Sequence, residues 1–156
     1  IENEDNLERT IRFIKKNSGR VVFTNGCFDI IHKGHIDYLS KAREYGDTLV
    51  LGVNSDISVK KLKGNKRPIN NLQARIAILK ALEMVDYVIP FDEINPLNLI
   101  KLLAPDVLVK GADYKINEII GSEFVRSYGG EVLTIEYLED FSSTKIIDKI
   151  LYLNNK

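Results

Sequence analysis

The chain contains two histidines, His32 and His35, and they stand three positions apart with Gly34 between them. Directly before them runs the polar turn Thr24-Asn25-Gly26-Cys27-Phe28-Asp29, and a helix begins around Gly34. A helix start offers free backbone N–H groups and the positive end of the helix dipole, both of which attract anions. Imidazoles there add donors, and a nearby phosphate favours their charged form. Gly34 lets backbone approach the anion with no Cβ in the way. The pattern therefore points to phosphate binding. A purely structural histidine pair is the plainer alternative. A metal reading would recruit Cys27 and Asp29, but that spacing matches no common zinc site. Thiol catalysis by Cys27 competes with its reading as a small residue packed in the turn.

Other residues with chemical potential occupy comparable positions. Asn54-Ser55-Asp56 are small polar residues suited to capping a helix. Lys60, Lys61, Lys63, Lys66 and Arg67 surround Gly64 in a basic stretch that would close over a polyphosphate, or form a solvated loop. Arg75 follows on the next helix, as a ligand or as an exposed helix charge. Lys110-Gly111-Ala112-Asp113-Tyr114 form a polar glycine turn, and Ser142-Ser143-Thr144-Lys145 offer hydroxyls and N–H groups at another helix start, or a plain N-cap.

These residues need a scaffold, and the apolar periodicity supplies one. Helices are expected over 5–17, 34–45, 56–61, 71–83, 96–103, 121–128 and 143–151. Short, continuously apolar strands are expected over 20–24, 48–53, 87–90, 107–110 and 131–136. Strands of that kind are covered on both faces. The alternation predicts an α/β fold, a doubly wound five-stranded parallel sheet with helices on both faces. In such sheets ligands bind beyond the carboxyl ends of the strands, at a topological switch point. Each candidate residue above follows a strand or opens the next helix. One domain is expected over 1–156, with an N-terminal helix in 1–19 and a catalytic core over 20–152.

Composition narrows the class. The 156 residues carry 22 Lys plus Arg against 22 Asp plus Glu, which disfavours a globally basic nucleic-acid binder. A single cysteine excludes a disulfide framework within the chain. No apolar run approaches the roughly 18 residues of a membrane span, and no signal peptide is visible. A cytoplasmic enzyme or binding domain is expected. Beginning with Ile rather than Met, the chain reads as a trimmed or partial polypeptide. A dinucleotide fingerprint, a P-loop and a nucleophile elbow are all missing.

With these residues in view, Thr-Asn-Gly-Cys-Phe-Asp-x-x-His-x-Gly-His between a strand and a helix, followed late in the chain by Ser-Ser-Thr-Lys-Ile-Ile, resembles the cytidylyltransferase-like superfamily of nucleotidyltransferases. Val53-Asn-Ser-Asp56, Lys61-Leu-Lys-Gly64, Arg67-Pro-Ile-Asn70, Val107-Leu-Val-Lys-Gly-Ala-Asp-Tyr114 and Gly129-Gly-Glu-Val132 resemble its D-glycero-β-D-manno-heptose 1-phosphate adenylyltransferase branch. The resemblance covers about residues 20–152 and implies a Rossmann-like fold. It implies transfer of AMP from ATP, with Mg²⁺, to a heptose 1-phosphate, giving ADP-heptose and pyrophosphate for lipopolysaccharide or related glycans. It further implies a homodimer and, as in many bacteria, a heptose 7-phosphate kinase fused to the domain or working with it. His32 and His35 become donors to the triphosphate, with Lys61 or Lys63 beside them. Thr24, Asn25, Gly26, Cys27, Phe28 and Gly34 form the nucleotide-binding turn. Lys110, Gly111 and Asp113 lie near the nucleoside, and Ser142, Ser143 and Thr144 hold the leaving phosphates. Asp29, Asn54, Asp56, Arg67 and Arg75 are the expected contacts of the acceptor; no metal ligand is assigned. The family usually reads Ser-Thr-Thr where this chain has Ser142-Ser143-Thr144, a change that keeps the hydroxyl. Glycerol-phosphate cytidylyltransferases carry an arginine shortly before that motif, whereas this chain has Leu138-Glu139-Asp140-Phe141. That weighs against the cytidylyl branch and leaves the base open. Cytidylyl or guanylyl transfer to glycerol phosphate or another phosphorylated acceptor, and a non-catalytic nucleotide-binding module, stay as alternatives.

Overall fold

A computed structural model of the chain describes residues 4–136, 138 and 141–154. Residues 1–3 of the expected N-terminal element, and Glu139 and Asp140 of the arginine-free stretch, lie outside the described residues. The chain runs α1 (Glu4–Asn17), β1 (Val21–Gly26), α2 (Lys33–Arg43), β2 (Thr48–Asn54), α3 (Asp56–Lys63), α4 (Leu72–Lys80), β3 (Tyr87–Phe91), α5 (Leu97–Leu103), β4 (Val107–Gly111), a 3-10 turn (Ile116–Glu118), α6 (Ser122–Ser127), β5 (Glu131–Ile135) and α7 (Ser143–Asn154).

The five strands lie in the order β3-β2-β1-β4-β5, and every neighbouring pair is parallel. Alternate side chains of each strand enter opposite faces, as the pleat requires. Phe23, Val50 and Leu108 join Ile14 of α1, Ile100 of α5 and Val125 of α6 in one core. Val22, Leu49, Leu51 and Val109 join Leu39 of α2 and Leu79 of α4 in the other. Each such fully buried aliphatic or aromatic side chain contributes about 1.5–3 kcal/mol of burial. Helices therefore cover both faces, as the apolar strand sequences predict. At the amino ends of the strands, aspartates satisfy backbone donors: Asp106 accepts from Val21 N at 2.7 Å and Asp86 from Leu49 N at 2.8 Å. That edge is built for stability and leaves the carboxyl edge for ligands.

Several boundaries differ from the sequence reading. β1 continues two residues past Thr24, because Asn25 and Gly26 pair with Gly52 and Val53 of β2. α3 runs to Lys63 rather than Lys61 and ends on Gly64, whose φ of +92° suits a residue without a Cβ. α4 stops at Lys80 instead of 83: its end tightens into i to i+3 bonds from Ala81 and Leu82, which turn the chain into β3. α7 extends beyond 151 to Asn154.

Candidate active site

The switch point falls between β1 and β4. These strands are in register at Val22–Val107 and Phe23–Leu108; beyond that, β1 continues against β2 and β4 against β5. The crevice that opens there is bridged from β4 by Lys110, whose Nζ donates to Asn25 O at 3.1 Å. Burial lowers the Lys110 pKa to about 8, partly opposed by the Asp113 charge. Thr24 Oγ1 shares a buried 2.8 Å hydrogen bond with Tyr38 OH of α2, which fixes the last covered residue of the strand. After Gly26 the chain turns sharply, with Phe28 in a left-handed conformation (φ 47°) and its ring buried. Cys27 is half-buried in that turn, and burial raises its pKa. The raised pKa keeps the thiol protonated at neutral pH.

α2 begins immediately beyond. His32 is its N-cap residue, and its carbonyl accepts from His35 N at 2.9 Å. The imidazoles stack, centroids 3.8 Å apart and planes inclined at 23°. Both Nδ1 atoms are buried without a hydrogen-bond partner, as is Asn25 Oδ1. With no acceptor beside Nδ1, the ring proton belongs on Nε2, where it can be donated to a ligand. Burial lowers the His32 pKa; burial and then the neighbouring His32 bring His35 to about 4. Both rings are neutral donors in the free protein at pH 7, and an arriving phosphate would pull them toward the charged form. A Cβ at position 34 would lie 3.0 Å from His32 Nδ1 and 3.0 Å from the Cβ of Phe141, so Gly34 permits this packing.

The start of α7 closes the other side. Ser143 Oγ donates to Ile30 O at 3.1 Å, tying α7 to the segment that leads into the histidines. Ser142 Oγ accepts from Lys145 N at 3.0 Å, an N-cap. The hydroxyl of Ser142 thus serves the helix and that of Ser143 the turn, while Thr144 is exposed. Two helix starts, α2 and α7, face one turn, a favourable arrangement for a polyanion.

The expected acceptor contacts form a network behind this turn. The Asp29 carboxylate is 2% exposed, receives Arg67 Nε at 2.5 Å, and accepts the amides of Ile69 and Asn70 at 2.8 Å each. Burial alone would raise its pKa; the Asn70 and Ile69 amides and the Arg67 guanidinium outweigh that and lower it. Arg75 is fully buried: Nε donates to Asn70 O, Nη1 to Cys27 O and Asn54 O, and Nη2 to Asp56 Oδ1 at 2.8 Å. Asn54 is buried and donates to Ser58 Oγ at 2.9 Å. The Asp29 carboxylate, the Arg75 guanidinium and the Asn54 amide nitrogen all bond within the protein, joining the ends of β1 and β2 to α3, α4 and the basic loop. Arg67 keeps its terminal nitrogens beyond the Asp29 contact, and Asp56 is partly exposed.

Lys61 and Lys63 are exposed on the last turn of α3. The positive charges of Lys63, Arg75 and Arg67 act at Cys27 and partly oppose the rise that burial causes there. Gly111 is buried at the end of β4, and Asp113 is exposed in the turn after it. Sequence reasoning missed Phe141, whose ring lies 6.4 Å from that of His32, and Asn70, whose amide nitrogens serve Asp29. Asn70 closes the Arg67-Pro-Ile-Asn70 motif and Phe141 the Leu138–Phe141 stretch, but neither stretch shows what these side chains touch. Among the described residues no group of three His, Cys, Asp or Glu side chains could hold a metal ion.

Residues 23–149 match the family described as Cytidylyltransferase-like. The Bifunctional protein HldE of Geobacter sulfurreducens is 52% identical over 97% of the chain, and that of Alcanivorax borkumensis is 51% identical over 96%. The chain spans about a third of the length of these relatives (31% and 32%). The lipopolysaccharide core biosynthesis protein from Thermoplasma volcanium superposes with a TM-score of 0.65 at 28% identity, over 78% of this chain and 99% of its own.

Proposed function

Since the chain belongs to the cytidylyltransferase-like family, we propose that it transfers AMP from ATP to D-glycero-β-D-manno-heptose 1-phosphate, releasing pyrophosphate and ADP-heptose. The observation that carries the chemistry is the stacked His32–His35 pair at the start of α2, at the switch between β1 and β4. The choice of acceptor is supported by the heptose-branch motifs and by about 50% identity to proteins named HldE.

An oxygen of the sugar phosphate attacks the α-phosphorus of ATP. The bond from that phosphorus to the bridging oxygen breaks, and pyrophosphate leaves in line. The nucleophile is already an anion, so no general base is needed. Catalysis rests on positioning and on stabilising the charge that builds on the leaving oxygens. His32 and His35 donate from Nε2 to the phosphates. Lys63, with Lys61 next to it, approaches from the end of α3. The N–H groups of α7 and the Thr144 hydroxyl receive the leaving pyrophosphate. Lys110, Gly111 and Asp113 line the nucleoside side of the crevice with Thr24, Asn25 and Gly26. Arg67 and Asp56 remain to contact the acceptor. Mg²⁺ accompanies such reactions on the phosphates of the nucleotide. The described residues do not fit a metal cage, and the roles above do not depend on one. We place the domain in the cytoplasm as a homodimer, alongside a kinase that phosphorylates the sugar; the word bifunctional in the relatives' names supports a second activity. No helix among the described residues is long and apolar enough to cross a membrane.

The test is pyrophosphate release with ATP, CTP, GTP or UTP, Mg²⁺ and each anomer of heptose 1-phosphate. Release with ATP and the β-anomer is the expected result. Release with another nucleotide would correct the base. Binding of ATP without release for any acceptor would replace the enzyme with a nucleotide-binding module.

A further inference from the structure

A histidine that serves chemistry usually has its ring orientation set by a hydrogen bond on the nitrogen that does not meet the ligand. Here Nδ1 of His32 and Nδ1 of His35 are both buried without such a partner. Packing must orient the rings instead, and the rings form a row. Phe28 packs on His35 at 5.4 Å with a tilt of 57°. His35 stacks on His32 at 3.8 Å. Phe141 follows at 6.4 Å from His32, its plane inclined at 27°. Phe28 is the buried inner member of the row; Phe141 is the outer member and is 42% exposed.

Phe141 is not a core residue, yet two contacts of its own and one nearby tether hold it in place. Its Cβ packs on Gly34, at the point where a side chain would strike both Phe141 and His32. The Lys33 ammonium lies over its ring, 5.9 Å from the centroid, a cation–π contact. Two residues on, the Ser143 hydroxyl is bonded to Ile30 O.

We propose that Phe141 is a positioning residue that clamps the His32 ring from the solvent side, so that Phe28 and Phe141 together orient the stacked imidazoles toward the nucleotide phosphates. The proposal rests on the nucleotidyl-transfer reading for what the imidazoles contact; the clamp itself belongs to the ligand-free protein.

The chain has two histidines, so its imidazole nitrogen spectrum contains two ring systems. The full chain is compared with Phe141→Ala, Phe141→Leu and Phe141→Tyr. The unaltered protein should show His32 as one tautomer, with the proton on Nε2. Phe141→Ala should mix or broaden the His32 tautomer signals and lower kcat for pyrophosphate release about tenfold to a hundredfold, a typical cost of a misplaced group. The nucleotide KM and the melting temperature should stay near their original values. Phe141→Tyr should restore both the spectrum and kcat; Phe141→Leu, which fills space without a ring, should fall between. Unchanged His32 signals and kcat in Phe141→Ala overturn the clamp. So does a tyrosine variant as impaired as alanine, or a rise in nucleotide KM at constant kcat, which would make Phe141 a nucleotide contact. If Phe141→Ala does not fold, the leucine and tyrosine variants decide by the same readouts. If the unaltered protein releases no pyrophosphate with any pair, the spectra still decide: perturbed His32 signals uphold the clamp and confine the failure to the assigned reaction.

Discussion

The carboxylate of Asp29 lies 2.5 Å from Arg67 Nε and caps the Ile69 and Asn70 amides, so one buried side chain three residues before His32 anchors the end of the basic loop. Donors converging on a buried carboxylate are charge-assisted and geometrically demanding. The pair therefore couples two segments far apart in sequence that border the same crevice.

Asp29→Asn should loosen that coupling. The amide removes the charge and presents a donor where the carboxylate accepted, at a cost of about 1–3 kcal/mol. The urea midpoint should fall, and protease cleavage within 63–70 should accelerate relative to the rest of the chain. Cleavage at the original rate would show that the loop is held by something else.

Arg75→Met tests whether the arginine is a structural hub. Removing a buried guanidinium leaves Asp56 unpaired and the carbonyls of Cys27, Asn54 and Asn70 without their donor. Asp56 is partly exposed, so most of the cost comes from the buried carbonyls, about 1–3 kcal/mol for each one left unsatisfied. The variant should melt far below the original protein. Normal melting combined with lost activity would return Arg75 to the list of acceptor contacts.

Stability should depend on pH through the histidines. The His35 pKa is lowered from 6.5 to about 4, and that of His32 is lowered too. Between those values the unfolded chain binds protons that the folded chain refuses, so stability rises with pH across the window. The contribution is complete above about 6.5 and is lost as pH falls toward 4. Asp29, lowered below 3.8, acts only at still lower pH. Melting curves from pH 4.5 to 7 should show the slope, and His35→Gln should flatten it. An equal slope in the variant would assign the effect to other groups.

Lys63 and Lys61 should differ. Lys63 lies close enough for its charge to act on Cys27. Lys63→Ala should lower kcat more than Lys61→Ala, by up to the roughly hundredfold to thousandfold seen when a charge-stabilising donor is removed. Steady-state pyrophosphate release with both variants measures this; equal losses would mean that the two lysines share one role.

The pattern of apolar residues was sufficient by itself to determine five parallel strands with helices on both faces. Burial periodicity is local, and each strand carries its own record of it. The histidine turn was legible for the same reason: its residues are contiguous, and the helix that follows them is encoded just downstream. What Asp29, Asn54 and Arg75 do was not legible. A buried charge and a ligand-binding charge are the same letter in the sequence, and only the fold shows whether their donors and acceptors are used up inside. Phe141 was hidden in the same way. It lies more than a hundred positions from His32, and the contact exists because Ser143 ties α7 to Ile30 and Gly34 leaves room for the ring. Contacts between distant segments depend on three-dimensional packing, which one-dimensional periodicity does not record.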